Sequence, residues 1–222
     1  MQFWRAALAA LALTGPAAAQ DVQNWTSLIA QGRVGGRAVV WGELQSRLEG
    51  DMNRFAVGIV RVGAGVRLRG DVDLMAGYQY QYNDFGGGIT RDEHRLWQQV
   101  QAPLVRSANG FVFTTRWRLE ERTIVGAQDL GWRLRGFFRA VQPLRGKGSA
   151  GPLLQSETFF AMNDTDWGAR AGFDQQRTLI GWVQPLSPRL NLEAGYMYVY
   201  LNRPGRNPGN HILSITLNRR LG

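Results

Sequence analysis

Along most of this chain apolar and polar side chains alternate with a period of two. The clearest case is Phe111 to Gln142, which reads as two strands joined by a loop. In the first, Phe111, Phe113, Thr115, Trp117 and Leu119 alternate with Val112, Thr114, Arg116, Arg118, Glu120 and Arg122. In the second, Leu130, Trp132, Leu134, Phe138 and Ala140 alternate with Arg133, Arg135 and Arg139. Successive side chains of a strand leave on opposite faces, so each strand carries an apolar wall backed by a charged one. A helix would scatter the same residues around its circumference, so the period selects strand.

The same pattern recurs from Arg37 onward. Val39, Trp41, Glu43, Gln45 and Arg47 alternate with Ala38, Val40, Leu44 and Leu48, and a polar turn, Gly50-Asp-Met-Asn53, follows. The next strand sets Ala56, Val60, Val62, Ala64, Val66 and Leu68 against Arg61, Gly63, Gly65, Arg67 and Arg69. Val72 to Tyr82 has a near-copy at Leu190 to Tyr200, with Ala-Gly-Tyr in both. In each copy aliphatics occupy one end of a wall and tyrosines the other: Tyr78, Tyr80 and Tyr82, then Tyr196, Tyr198 and Tyr200. A membrane interface selects that gradient, because tyrosine is apolar in body and polar at its tip. Further strands are expected at Glu93 to Leu104, Leu153 to Met162, Gln175 to Pro185 and Asn210 to Leu221. The count is ten strands from Arg37, with residues 25–34 a possible extra element, so ten strands and at most twelve.

Connections near 69–71, 105–110, 145–151 and 187–189 are mostly short, and those near 83–91, 122–129, 163–174 and 202–209 are longer. Short turns at one end and longer loops at the other are the asymmetry of an outer-membrane barrel. A soluble sandwich also alternates, so alternation alone leaves both architectures open. Three features favour the barrel. The strands exceed the usual five or six residues of soluble sheets. The apolar walls carry almost no mid-strand charge, where an arginine facing lipid costs about 2–4 kcal/mol. The polar walls carry charge at mid-strand, at Arg61, Arg116, Arg118, Arg135, Glu157 and Glu193. The expected fold is all-β, a closed antiparallel transmembrane barrel with its arginines inside.

The first residues change the picture by adding export. Met1 to Arg5, an apolar run from Ala6 to Leu13, and Thr14 to Ala19 form a positive region, a hydrophobic region and an Ala-x-Ala site. That is the grammar of a secretory signal peptide, with cleavage expected after Ala19 and one barrel domain over 20–222. No run approaches the roughly 20 apolar residues a spanning helix needs. The chain has no cysteine, which excludes disulfides, thiolate metal sites and a cysteine nucleophile. Its 26 basic residues against 17 acidic ones give a net charge of +9, and Lys147 is the only lysine. Nucleic acid is the usual partner of so basic a chain, and export argues against it. The partners expected instead are outer-membrane lipid, the barrel-assembly machinery and a small anionic ligand.

The blocks Glu93-His-Arg-Leu-Trp-Gln-Gln99, Arg116-Trp-Arg-Leu-Glu-Glu-Arg122, Gly131-Trp-Arg-Leu-Arg135, Asn163-Asp-Thr-Asp-Trp-Gly168, Gly172-Phe-Asp-Gln-Gln-Arg177 and Asn210-His-Ile-Leu213 resemble the domain-of-unknown-function 2490 family. The resemblance covers nearly the whole mature chain. It implies a bacterial outer-membrane β-barrel and no established activity. The final Arg219-Arg-Leu-Gly222 departs from the terminal aromatic common in such barrels, which bears on the assembly signal.

The candidate chemistry lies on the inner face: Arg61, Arg95, Arg116, Arg118, Glu120, Arg133, Arg135, Arg139, Glu157, Arg177 and Glu193. A ten-stranded barrel is only slightly wider than one its own side chains fill. The set reads either as a structural charge ladder filling the bore or as a narrow anion-preferring passage or acidic-ligand site. An outer-leaflet acyl hydrolase would need His94 or His211, the only histidines. Nucleophilic catalysis needs a serine oxygen about 3 Å from the imidazole, and Ser214, three residues past His211, faces the other way. No enzyme and no cofactor are expected. Asn163 to Gly168 with Asp174 offers carboxylates, but their spacing is not that of an EF-hand loop and suits backbone turns, so no metal is expected. Gly86-Gly-Gly88 lacks the helix that a phosphate loop opens.

Overall fold

The computed structural model describes residues 21–203 and 209–222. The export signal read over 1–19 lies outside the described residues, as does most of the 202–209 loop. Eleven strands follow one another: β1 (Val22–Gly35), β2 (Ala38–Glu49), β3 (Arg54–Arg67), β4 (Asp73–Asp84), β5 (Thr90–Arg106), β6 (Val112–Ile124), β7 (Gly131–Val141), β8 (Gly151–Ala161), β9 (Gly172–Ser187), β10 (Leu190–Leu201) and β11 (Gly209–Leu221). Each pairs with its neighbours in sequence, and β1 pairs with β11, so the sheet is a closed barrel. The ten strands expected from Arg37 are β2 to β11, and the extra element at 25–34 is realised as β1.

That eleventh strand corrects one detail of the expected topology. In an up-and-down meander with an odd number of strands, first and last run the same way and must close in parallel. β1 and β11 do so in register from Val22↔His211 to Gly32↔Leu221, while every other pair is antiparallel. At the end of this seam Gly32 has φ 141°, and a Cβ there would stand 2.3 Å from the Leu221 carbonyl oxygen. Only glycine fits such a conformation and approach.

Alternation places the two walls as the period required. Val62 (53% exposed), Leu96, Trp117, Ile180 and Leu213 face outward, while Arg61, Arg95, Arg118, Arg177 and Ser214 between them face the bore. One residue departs. Arg47 lies opposite Val57 and Leu48 opposite Phe55, so Ala56 is a bulge residue. A bulge shifts parity by one. Ala56, expected on the outer wall, is therefore buried, and Phe55 is exposed in its place.

The strands also run further than the pattern implied, which trims the loops. β4 reaches Asp84 and β5 begins at Thr90, leaving only 85–89 between them. At the opposite end the 142–150 connection is nine residues long, so the two ends differ less in length than expected.

The bore is filled from one side by Val39, Trp41, Met75 and Trp97, and from another by Val141, Leu153, Leu179 and Val183. Trp97 is 1% exposed and lies across Gly63 and Gly77. A Cβ on Gly77 would sit 2.4 Å from Trp97 Cζ2 and 2.1 Å from the Val62 carbonyl oxygen. Overpacking of this kind costs about 1–3 kcal/mol. Gly77→Val is expected to lower the unfolding free energy of the refolded barrel, measured in urea, by that amount. Gly42→Ala, whose Cβ meets nothing nearer than 3.9 Å, is expected to leave it unchanged.

Candidate functional site

The inward positions of β2 to β10 bring the expected arginines and glutamates into one bore. Glu120, on β6, accepts from Arg133 Nη2 and Arg135 Nη1 of β7, each at 2.5 Å. Arg135 reaches onward to Glu157 of β8 at 2.7 Å, and Arg116 of β6 meets the same carboxylate oxygen at 3.1 Å. Arg177 of β9 stands 3.8 Å from the other oxygen of Glu157. Arg95 forms a bidentate pair with Glu93 at 2.7 and 2.8 Å, which Arg122 joins at 2.5 Å. Arg61 pairs with Glu43 and donates to Gln79 at 2.8 Å, and Arg139 pairs with Glu193 at 2.8 Å. Glu93, Glu120 and Glu157 are thus each shared among two or more arginines, while Glu43 and Glu193 each hold one. Shared bidentate contacts of this kind favour the planar guanidinium over an ammonium.

Two arginines have little carboxylate support. Arg47 donates to Gln45 at 2.8 Å and lies 3.8 Å over the Trp25 ring. Arg118 is 1% exposed, is held by Gln99 at 2.5 and 2.9 Å, and comes no nearer to Glu120 than 4.0 Å. Its guanidinium lies 4.6 Å from the centre of the Trp97 ring, and its Nη1 makes no hydrogen bond. Aromatic faces therefore complete the bore: Arg177 also lies over Phe159 at 4.4 Å, and Arg116 over Phe137 at 4.2 Å. Such cation–π contacts partly replace missing carboxylates. The sequence carried a signal for these rings, since Trp41, Trp97 and Phe159 share the parity of Glu43, Arg95 and Glu157.

Between these side chains lies a cavity of about 830 Å³. Its lining begins at the loop residues Trp167, Arg170 and Arg203 and continues to Gln101, Thr114 and Gln31 near the turn end. Twelve arginines and five carboxylates line it. Cations outnumber carboxylates in this lining, a balance that favours anions over cations inside it.

The other candidates lie elsewhere. Tyr78 and Tyr196 are exposed on the outer face, and each hydroxyl meets a histidine on the next strand: Tyr78 with His94 Nδ1 at 2.5 Å, Tyr196 with His211 Nδ1 at 2.6 Å. Tyr80 donates to Asp92 at 2.8 Å, and Tyr82 and Tyr200 stack on Phe55 and Phe173. Tyr198 lies against the His211 ring. In the 162–171 loop, Asp166 accepts from the amides of Gln128 and Asp129, and the Asp129 carboxylate accepts from the Asp166 amide. Asp164 accepts from the Ala171 amide, and Asp174 pairs with Arg203. These carboxylates shape and join two loops, and Asp129 is the member that sequence reasoning missed.

Removing Glu157 would leave Arg116, Arg135 and Arg177 without their shared partner. Breaking a buried pair costs about 3–5 kcal/mol, and water in the cavity moves the expectation toward the lower figure. Glu157→Gln is therefore expected to cost about 3 kcal/mol in urea unfolding. Arg47→Gln, which orphans no carboxylate and loses the Gln45 bond and the Trp25 stacking, is expected to cost about 1–2 kcal/mol.

Residues 22–210 match the family described as protein of unknown function (DUF2490). The chain is 32% identical over 204 residues to an uncharacterized protein of Methylorubrum extorquens, covering 89% of this chain and 87% of that one. Among solved structures it matches the outer-membrane expressed OmpT of Vibrio cholerae at 10% identity and a TM-score of 0.41. That match covers 78% of this chain and 58% of the other. The family match spans nearly the entire barrel, from the start of β1 into β11, and on that extent the chain belongs to the DUF2490 family of proteins of unknown function.

Proposed function

We propose that this protein is a bacterial outer-membrane barrel whose bore is a narrow, anion-preferring passage. The observation that carries the reading is the cavity of about 830 Å³, lined from loop end to turn end by twelve arginines and five carboxylates. A purely structural filling would be expected to match its charges, since an unpaired buried cation is costly. Arg47, which lines the cavity, instead rests on Gln45 and the Trp25 ring, leaving positive potential for an anion to use.

Membrane residence is supported by the outward wall, where Val60, Val62, Leu96, Leu154 and Ile180 are open to the surroundings without charge between them. The amino-terminal export grammar points the same way. An outer-leaflet lipid hydrolase is the other reading, and the placement of its parts speaks against it. Ser214 is buried on the bore side, while His211 bonds Tyr196 on the outer wall.

In planar bilayers under a potassium chloride gradient, the refolded protein is expected to give small conductances with an anion-selective reversal potential. Arg47→Glu is expected to lower the anion-to-cation permeability ratio several-fold. A silent protein, or a cation-selective one, overturns the passage. Val62→Arg tests the lipid-facing wall. In a bilayer it is expected to cost about 2–4 kcal/mol, whereas a water-exposed position would register within about 0.5 kcal/mol. Purified protein is expected to release no fatty acid from phospholipid or lipid A, with His211→Ala indistinguishable from the parent.

A further inference from the structure

The two rims of the barrel differ in charge. At the turn end four of the five connections contribute exposed cations, Arg37 between β1 and β2, Arg69 between β3 and β4, Arg145 between β7 and β8 and Arg189 between β9 and β10, and Arg219 and Arg220 stand at the end of β11. Against Asp71 and Asp73, the side-chain carboxylates of this rim, there are nine exposed cations among the described residues, counting Arg33, Arg106 and Lys147. Arg106 alone among them has an acidic partner, Asp71, at 2.6 Å. The loop end is the reverse among the described residues. Asp51, Asp84, Asp92, Asp129, Asp164 and Asp166 belong to its loops and strand ends, Arg54, Arg170 and Arg203 are each paired with a carboxylate, and exposed Arg91 lies over the Phe85 ring.

We propose that the turn-end rim is a binding ring for anionic phospholipid headgroups in the leaflet on that side of the membrane. This rests on the membrane reading above and is independent of whether the bore conducts. Two features select a leaflet over a protein partner. The cations are distributed around the circumference, one set per hairpin, and a globular partner would cover only one sector. They also border the outward apolar wall directly. Arg69 follows exposed Leu68, Arg106 follows Leu104 and Val105, Arg145 follows Leu144, and Arg219 continues the outward column of Leu213, Ile215 and Leu217. A guanidinium placed where hydrocarbon gives way to water meets lipid phosphate, and its stem covers apolar surface on the way.

The test uses the full barrel in detergent micelles doped with equal amounts of phosphatidylglycerol and phosphatidylcholine, with bound lipid counted by native mass spectrometry. Phosphatidylglycerol is expected to be enriched about tenfold at low salt, an enrichment that falls as salt rises. Arg189→Gln/Arg219→Gln/Arg220→Gln, all at exposed sites, is expected to cut the enrichment about fivefold. Arg54→Gln on the opposite rim is expected to leave it intact. Equal occupancy of the two lipids, or an enrichment unchanged in the triple variant, overturns the ring. Insertion into phosphatidylcholine vesicles, scored by heat-modifiable mobility, is measured alongside. A barrel that inserts without lipid preference loses this inference alone, and one that inserts into no vesicle loses the membrane reading with it.

Discussion

The structure depends on one constraint: each backbone amide and carbonyl of the sheet must find a partner within the wall. In hydrocarbon an unpaired peptide group costs several kcal/mol, so a sheet that faces lipid has to close. Ten antiparallel strands, β2 to β11, could close on themselves with first and last antiparallel. This chain instead places β1 between them, and closure runs through a parallel seam of eleven residue pairs. The seam demands a backbone fit that Gly32 provides beside Leu221. Both β1 and β11 thus run from the loop end to the turn end.

Once the cylinder is closed, alternation leaves no freedom. Side chains of one parity face outward and those of the other face a bore too narrow to hydrate them all. The inward set is then obliged to satisfy itself, and it does so with arginines bridging glutamates across strands: Arg133–Glu120–Arg135–Glu157–Arg116 is one continuous run. Arginine suits this because one guanidinium serves two carboxylates at fixed angles and keeps its charge when buried. Trp25 and Trp97 present ring faces to Arg47 and Arg118, where carboxylates run out, and Phe137 and Phe159 add theirs to Arg116 and Arg177. The same closure that fixes the wall therefore concentrates positive charge along its axis.

The proposed roles follow from where this surplus lies. Part lines the bore, where it favours an anion. Another part rings the turn end, where it meets whatever surface surrounds the barrel. Among the described residues the loop end, joined across β6–β7 and β8–β9 by Asp129 and Asp166, carries more carboxylates than cations. Charge thus has a direction along the barrel axis, and the composition alone, a net +9, contains no trace of it.

By itself the sequence determined the period, and with it the strands, their two faces and the inward position of Arg61, Arg95, Arg116, Arg118, Glu120, Arg133, Arg135, Glu157, Arg177 and Glu193. These are local properties, because side-chain direction in a strand depends only on counting by two. It also placed the six tyrosines together at one end. Tertiary structure alone decided what counting cannot reach. The bulge at Ala56 changed a residue's face because pairing with β2 absorbed an extra position. β1 became a wall strand because its partners, β2 and β11, are separated from each other by nearly the whole chain. Which arginine meets which glutamate was likewise hidden. Those pairs join strands whose relative stagger is set only when the last strand meets the first.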